Sequence, residues 1–488
     1  MQDQFLEFAE WTPDQGNFAT GGMADVKNVI PSARGYLPLK SLSAGTTALA
    51  ERCQGAISVL DSSGTQKTYA GTATYIYETT LTAATSRTRT ASNYTTNAAE
   101  SWEFILWGDK VLGVNGTDTP QLITIGGSNF ADLGGSPPVA RHVTSVGEFV
   151  VMGNIGSSNK NRVQWSAIGN EAGWTAGTSQ SGYQDIPGEG GNVQRIVGFE
   201  NNVGIIVRER DIWRMTYIGA PEVFQFDRVA VNIGTAAPNS VVSYGRDVYF
   251  LSEEGFYSYK EGTGLSPIGA EKVNRYFLEN HVAGNISRMS SAIDPVNNII
   301  FWSYNDATAT DATPNAIIIY NTLTQKWSRA DEAIEFVFKG QHPAYTLEDL
   351  DAVSSSLDAL TISLDSPYWD GGQLLLAGFN QSHVLGFFDG SAKTAVLDTE
   401  EFGGDRLMCV NELRPYIEGA SGTTTTLNML TRSSLTGSLT TGSAVSLNDD
   451  GLAHTRSTSR FTRVRCNIAS GFDIAKGVNI RFMPQGRR

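Results

Sequence analysis

The chain has few charges, few cysteines and no long apolar run. Charged residues make up 18% of its 488 residues, below the ~25% of typical globular proteins. Cys53, Cys409 and Cys466 are far apart and odd in number, which excludes a disulfide framework or a CxxC zinc site and predicts synthesis in a reducing compartment. The longest aliphatic runs have the length of a strand, which predicts no membrane insertion. The polar start MQDQFLEFAEWTPDQ is not a signal peptide.

An excess of positive charge is also missing. Lys and Arg number 36 and Asp and Glu number 50, so the net charge is 36 − 50 = −14. A protein that grips DNA through its phosphates needs surplus cations. The balance therefore argues against tight nucleic-acid binding, although not against a surface past which DNA slides. Solubility is the simpler explanation of the charge.

The signatures of common enzymes are absent as well. The sequence contains no GxxxxGK[ST], HExxH or GxSxG motif, and it lacks the Ser-x-Asp-x-Gly-x-x-Trp turns of sialidase-type propellers. The histidines are scattered near polar turns and predict no metal site. They are His142, His281, His342, His383 and His454. We therefore expect no catalytic residue, metal or cofactor.

The densest group of carboxylates lies in an acidic segment at residues 346–372. Its members are Glu348, Asp349, Asp351, Asp358, Asp365 and Asp370. Glycosidases use two carboxylates that flank a sugar, so this segment is the best place for an enzymatic site. The spacing has no catalytic or calcium-loop regularity, however, and favours a solvated acidic loop. Its start, TLEDL, resembles the first turn of a helix.

Glycine, at 51 residues, and aromatic residues, at 10%, are plentiful, as many short strands joined by tight turns require. From residue 52 an apolar strand, a polar turn and a second apolar strand recur, and nothing else in the chain has a helical pattern. The predicted turns lie at Gly64, Gly108, Gly147, Asn201, Gly245, Asn297 and Gln381. The first six are 39 to 54 residues apart, close to the ~40–50 residues of a four-stranded propeller blade.

These turns predict an all-β protein built on a β-propeller of six to seven blades. Aromatic residues such as Trp174 are expected to fill the wedges between blades. The last interval, 381 − 297 = 84 residues, is too long for one blade and contains either an insertion or a hidden blade.

Differences in composition and strand pattern divide the chain into three parts. Residues 1–50 are rich in Gly and Pro but carry Phe5, Phe8 and Trp11, which predicts an extended arm lying across another surface, for example that of another subunit. Residues 51–403 form the propeller, with the acidic insertion near 340–372. Residues 404–488 read as a separate β-sandwich-like domain. Basic residues accumulate there, and they predict either a solvated strand face or a surface that binds acidic partners. They are Arg456, Arg460, Arg463, Arg465, Arg481, Arg487 and Arg488.

Several stretches resemble the tail hub, or nozzle, proteins of short-tailed bacteriophages, also called packaged-DNA stabilisation proteins. The run RVQWSAIGNEAGW at 162–174 carries the resemblance, together with GVNGTDTPQLI at 113–123, IVGFENNVGIIVRERDIWRM at 196–215 and DVYFLSEEGFYSY at 247–259. The acidic segment and the final RVRxNI…GVNIRF pattern add weaker support. The resemblance spans residues 100–485, and the first 50 residues lie outside it.

The resemblance implies a structural virion protein of the phage tail, assembled in the host cytoplasm. Six copies would form a ring below the portal and its adaptor, in contact with other tail proteins such as fibres or a needle. The ring would hold packaged DNA in and form part of the ejection channel. Genomic DNA would pass through the lumen without sequence recognition, and acidic residues facing it would keep sliding friction low.

Two alternatives remain open. A receptor-binding propeller would read host glycans through exposed aromatic residues such as Tyr368 and Trp369. A propeller glycosidase would use carboxylates of the acidic segment, such as Asp365 and Asp370.

Overall fold

In this computed structural model the structure describes residues 1–16, 18, 21–341, 374–419, 424–469 and 471–486. The described part is built almost entirely of strands and confirms the predicted all-β propeller. Seven four-stranded blades surround a common axis in this part of the chain. Strands from both ends of the chain form a further sheet beside them.

The first 50 residues contribute five short strands. These are β1 (Gln2–Glu7), β2 (Asp25–Lys27), β3 (Val29–Ser32), β4 (Gly35–Pro38) and β5 (Ser43–Ala48). The predicted arm lies across its own chain, because four of these strands pair with residues beyond Trp327 and β3 pairs with β4.

The first three blades take their strands in sequence order. Blade 1 contains β6 (Gly55–Leu60), β7 (Gln66–Gly71), β8 (Ile76–Thr79) and β9 (Ala84–Ser86); blade 2 contains β10 (Glu103–Trp107), β11 (Lys110–Val114), β12 (Gln121–Thr124) and β13 (Ala131–Asp132); blade 3 contains β14 (Ala140–Val146), β15 (Phe149–Ile155), β16 (Asn159–Trp165) and β17 (Gly182–Asp185).

The next three blades follow the same order. Blade 4 contains β18 (Val193–Phe199), β19 (Val203–Arg208), β20 (Asp211–Gly219) and β21 (Val223–Val231); blade 5 contains β22 (Val242–Tyr244), β23 (Asp247–Ser252), β24 (Gly255–Lys260) and β25 (Gly264–Pro267); blade 6 contains β26 (Ser290–Asp294), β27 (Ile299–Tyr304), β28 (Ala316–Asn321) and β29 (Trp327–Ala330).

Blade 7 closes the ring with strands from two distant segments. It contains β30 (Ile334–Gln341), β31 (Leu374–Asn380), β32 (Val384–Phe387) and, as its outermost strand, β5. The innermost strands of blades 1 to 4 contact one another in turn, as do those of blades 5 to 7, and β30 contacts β6 of blade 1. A 3-10 helix at Pro238–Ser240 contacts β18 and β26. No edge of the ring is left open between the first and last blades.

The second strands of several blades are apolar runs because they lie between two neighbouring blades. Every residue of β15 (FVVMGNI), β19 (VGIIVR) and β27 (IIFWSY) is buried. A strand covered on both faces needs no polar alternation. The apolar clusters formed in this way join each blade to the next.

The predicted hairpin turns are confirmed, two of them with a shift of one residue. Gly108 and Gly147 have φ values of 59° and 56°, and the residues with positive φ in blades 4 and 6 are Asn202 and Asn298 rather than the residues before them. Gly147 also lies against the side chain of Asn202, since a Cβ there would be 2.4 Å from Asn202 Oδ1. This contact brings the turns of blades 3 and 4 together.

The long interval before the last predicted turn includes the outer strands of blade 6 and the first two strands of blade 7. Gln341 at the end of β30 pairs directly with Leu374 at the start of β31. The acidic segment predicted between these two strands lies outside the described residues, so the choice between an insertion and a hidden blade stays a prediction. The predicted helix start at Thr346 lies outside the described residues.

The C-terminal residues form the appended sheet, which we define as β33–β39 together with β1–β4. Its C-terminal strands are β33 (Ala395–Asp398), β34 (Phe402–Glu418), β35 (Thr425–Arg432), β36 (Thr440–Thr441), β37 (Val445–Ser446), β38 (Ala453–Ile468) and β39 (Ile474–Pro484). Strand β39 lies between β34 and β1, and β2 joins β33 to β29 of blade 6. The appended sheet is thus continuous with the propeller.

One core serves both regions. Trp302 and Trp327 of blade 6 belong to the same buried cluster as Trp11 of the arm and Val464 and Val478 of the appended sheet. The expectation that the chain lacks helical structure is wrong at one place, since α1 (Asn274–Asn280) and a 3-10 helix (Ala283–Arg288) connect blades 5 and 6.

Candidate functional site

The propeller axis contains a small cavity enclosed by the inner strands. Its volume is about 90 Å³, and its lining residues include Trp102, Glu103, Arg195 and Phe336. Ligand pockets commonly measure ~300–1,000 Å³. This cavity is therefore too small for a large ligand, and a nucleic-acid strand would have to pass outside the axis of the single chain.

Three blades are tied together beside this cavity by a buried ionic cluster. Glu103 Oε2 lies 3.0 Å from His142 Nδ1 and 3.3 Å from Arg195 Nη1. Burial lowers the pKa of His142, although Glu103 opposes the shift. The ring is then neutral near pH 7 and Nδ1–H donates to the carboxylate, whereas Nε2 has no partner among the described residues. The arrangement links β10, β14 and β18.

A second carboxylate–histidine pair joins blade 7 to the start of blade 1. Glu335 Oε1 lies 2.7 Å from His383 Nδ1, and Oε2 accepts a hydrogen bond of 3.3 Å from the backbone N–H of Cys53. Burial raises the pKa of Glu335 and also that of the Cys53 thiol. A thiol held in its protonated form is a poor nucleophile, so Cys53 is a core residue. Glu335 connects blade 7 to the segment that leads into blade 1 and so helps to close the ring.

The other histidines and acidic residues considered in the sequence are spread over the molecule. His281 lies at the end of α1 and His454 on the appended sheet, whereas His342 lies outside the described residues. Within the described ranges no three His, Cys, Asp or Glu side chains are grouped so that they could hold a metal ion. The six carboxylates of the acidic segment, Tyr368 and Trp369 also lie outside the described residues. The glycosidase and glycan-binding hypotheses thus stay predictions.

The motif at 162–174 packs two wedges between blades, as expected for its aromatic residues. Trp165 lies in the cluster between blades 3 and 4, and its Nε1–H donates to Gln180 O at 2.8 Å. Trp174 lies in the cluster between blades 2 and 3, and its Nε1–H donates to Glu171 O at 2.7 Å. Both indoles are buried and satisfied, so this motif has a structural role in the chain.

Several of the C-terminal arginines pair with buried carboxylates of their own chain. Arg465 binds Asp398 through two bonds of 2.7 Å, and Arg432 Nε lies 2.6 Å from Glu401 Oε1. Burial raises the pKa of Asp398, although Arg465 opposes the shift. Arg463 is also close to Glu401. This part of the predicted basic face is therefore internal, and Arg487 and Arg488 lie outside the described residues.

Arg456 and Arg481 lie on what we call the outer face, the side of the appended sheet turned away from the core, whereas Arg460 is half-buried on β38. The outer face consists of Phe5, Glu412, Arg414, Tyr416, Arg456 and Arg481. Phe5 is 51% exposed and Tyr416 is 45% exposed, and their rings meet edge to face at a centroid distance of 5.4 Å. A groove of about 250 Å³ runs beside them, lined by Arg414, Tyr416 and Arg481 among others.

An apolar crevice of about 380 Å³ separates the appended sheet from blades 6 and 7. Phe301, Leu376 and Phe388 line its floor, and Lys40 and Asp473 also line it. Its size is within the range of ligand pockets. The outer face differs from it in presenting aromatic rings and charges outward.

No family model matches the chain, and no curated protein matches it. Solved structures with a similar shape include BamB from Moraxella catarrhalis (11% identity, covering 74% of this chain and 93% of that one, TM-score 0.37) and a streptogramin B lyase (10% identity, 71% and 97%, TM-score 0.40). Another is the extracellular domain of a putative one-component system from B. thetaiotaomicron (8% identity, 91% and 62%, TM-score 0.44). No helix in the described residues is long and apolar enough to cross a membrane.

Proposed function

We propose that the chain is a structural subunit of a short phage tail and forms a ring, of six copies, below the portal and its adaptor. The main observation that supports this proposal is the group of exposed aromatic and basic residues on the outer face of the appended sheet. Exposed aromatic residues and arginine are enriched at protein interfaces, and Phe5, Tyr416 and Arg414 stand together there without a role in the core. The resemblance of residues 100–485 to tail hub proteins supports the same role.

In this role the propeller is a rigid body and the appended sheet makes the contacts. The cavity on the propeller axis is too small for DNA, so the ejection channel would run through the centre of the ring, between subunits. The net charge of −14 supports a lumen that repels phosphates and retains DNA without gripping it. Portal, adaptor and fibre or needle proteins are the proposed neighbours, and the virion is the proposed location, after assembly in the host cytoplasm and without membrane insertion.

The test is the mass of the purified protein, alone and mixed with a portal–adaptor complex, measured by light scattering and accompanied by negative-stain imaging. We expect a ring of six copies with a central hole in at least one of the two conditions. The portal–adaptor complex alone is the control. A chain that stays monomeric in both conditions would overturn the proposal.

A further inference from the structure

Charge is distributed very unevenly along the chain. Residues 404–488 contain 11 Lys and Arg against 6 Asp and Glu, a net charge of 11 − 6 = +5. Residues 1–403 contain 25 Lys and Arg against 44 Asp and Glu, a net charge of 25 − 44 = −19. Residues 404–488 of one copy and residues 1–403 of a neighbouring copy would therefore attract each other over roughly a Debye length, ~8 Å at physiological salt.

Part of the positive charge is available on the outer face. Arg414 and Arg456 are exposed and form no ion pair with a described residue, unlike Arg481, which pairs with Asp3 and Glu412. Arg414 lines the groove together with Tyr416. The outer face thus combines unpaired guanidinium groups with exposed aromatic rings.

A complementary surface lies on the propeller, in the turns that join the first and second strands of blades 1 to 4. We call it the acidic crescent, and it consists of Asp61, Asp109, Glu148 and Glu200. The contact between Gly147 and Asn202 shows that the turns carrying Glu148 and Glu200 lie side by side. The last three residues are exposed, and none of the four forms an ion pair within the described ranges.

We propose that a second copy of this chain occupies the outer face, with the groove at Arg414 and Tyr416 seated on the acidic crescent of its neighbour. The inference rests on the proposed function and names the contact that builds the ring. The two surfaces are different parts of the chain, so every copy offers one of each. Such a head-to-tail contact repeats from copy to copy and closes into a ring when the rotation allows it.

The test reverses the charges on each side. R414E/R456E and E148K/E200K are each expected to raise the concentration at half-assembly roughly tenfold or more, and high salt is expected to weaken the wild-type ring. The variant with all four changes is expected to assemble like the wild type, because each contact regains opposite charges. E189K/E253K, in exposed connections at the opposite ends of the strands, is the matched control and should assemble normally.

Crosslinking provides a second measurement that does not depend on affinity. A mixture of E148C and R414C copies, treated with a short bifunctional thiol reagent, should give a dimer across the contact, since Cys53, Cys409 and Cys466 are buried. Rings that form equally well in all charge variants and give no crosslink would overturn this contact and leave the ring itself in place. A wild type that forms no ring would overturn the proposed function and this inference with it.

Discussion

The propeller and the appended sheet are built on opposite principles. In blades 1 to 6 each strand pairs with the next one in sequence, and the wedges between blades are filled by apolar residues. The appended sheet joins strands from the two ends of the chain and contains buried ion pairs such as Asp398–Arg465. Blades 1 to 6 are therefore a product of local hairpins, whereas the appended sheet depends on long-range pairing, and both regions contain buried ion pairs.

The largest expected effect comes from the core that the two regions share. Trp327 is fully buried and packs against Trp302 and Tyr320. Trp327→Ala is expected to lower the free energy of unfolding by about 3–5 kcal/mol. Urea denaturation followed by fluorescence and by circular dichroism should show one earlier transition for the whole chain. Leu323→Ala, at an exposed position of the same blade, is the control, and two separate transitions would show that the regions are independent.

A buried ion pair inside the propeller tests whether charge matters there too. Arg208 is completely buried, binds Asp211 through two bonds of 2.6 Å and donates to Ile186 O and Pro187 O. Arg208→Met leaves the carboxylate of Asp211 unpaired and is expected to cost about 3 kcal/mol.

The matched change is Arg162→Met, which breaks a pair with Asp185 at the surface and should cost less than about 1 kcal/mol. Thermal denaturation compares the two. Equal losses in the free energy of unfolding would mean that burial does not determine how strongly these ion pairs stabilise the fold.

A smaller effect concerns pH. Burial lowers the pKa of His142 in the folded chain, so the unfolded chain takes up a proton first as the pH falls below ~6.5. Stability is complete above that value and is lost below it, by up to ~1.4 kcal/mol per pH unit. His142→Gln, which keeps a donor for Glu103, is expected to flatten the decline in the free energy of unfolding between pH 6.5 and 5. The exposed His454→Gln serves as the control, and parallel profiles for both variants would contradict this assignment.

The smallest expected effect is on the outer face. Tyr416 touches Phe5 but is 45% exposed, so Tyr416→Ala should change the free energy of unfolding by about 0.5 kcal/mol. Urea denaturation measures it. A loss of unfolding free energy as large as that of a core residue would mean that the Phe5–Tyr416 pair stabilises the fold rather than contacting a partner.

The sequence predicted the local part of the fold well. Turn residues such as Gly147 and apolar second strands such as FVVMGNI carry their own signal. The closure of blade 7 left no such signal in the sequence. Its outermost strand β5 reads SAGTTA, which has no apolar pattern, and it forms a strand by pairing with β32. Helix α1 was missed because it is short and because the carboxylate of Asp14 accepts hydrogen bonds of 2.8 Å from the backbone N–H groups of Arg275 and Tyr276.

The candidate site was predictable only in part. The accumulation of arginines after residue 404 was visible, but the sequence did not distinguish Arg465, which is tied to Asp398, from the exposed Arg414. The exposed aromatic pair depends on the register between β1, β39 and β34. Such a register is set by side chains hundreds of residues apart and leaves no local pattern.

Closure of the ring by β5 also orders events in time. Blades 1 to 6 can form one after another as the chain is synthesised, because each pairs only with its own neighbours. Strands β1, β2, β4 and β5 are made first, yet their partners lie in β29, β32, β33 and β39. Strand β5 can therefore complete the seventh blade only once β32 has been made, and β1 can complete the outer face only once β39 has been made near the end of the chain.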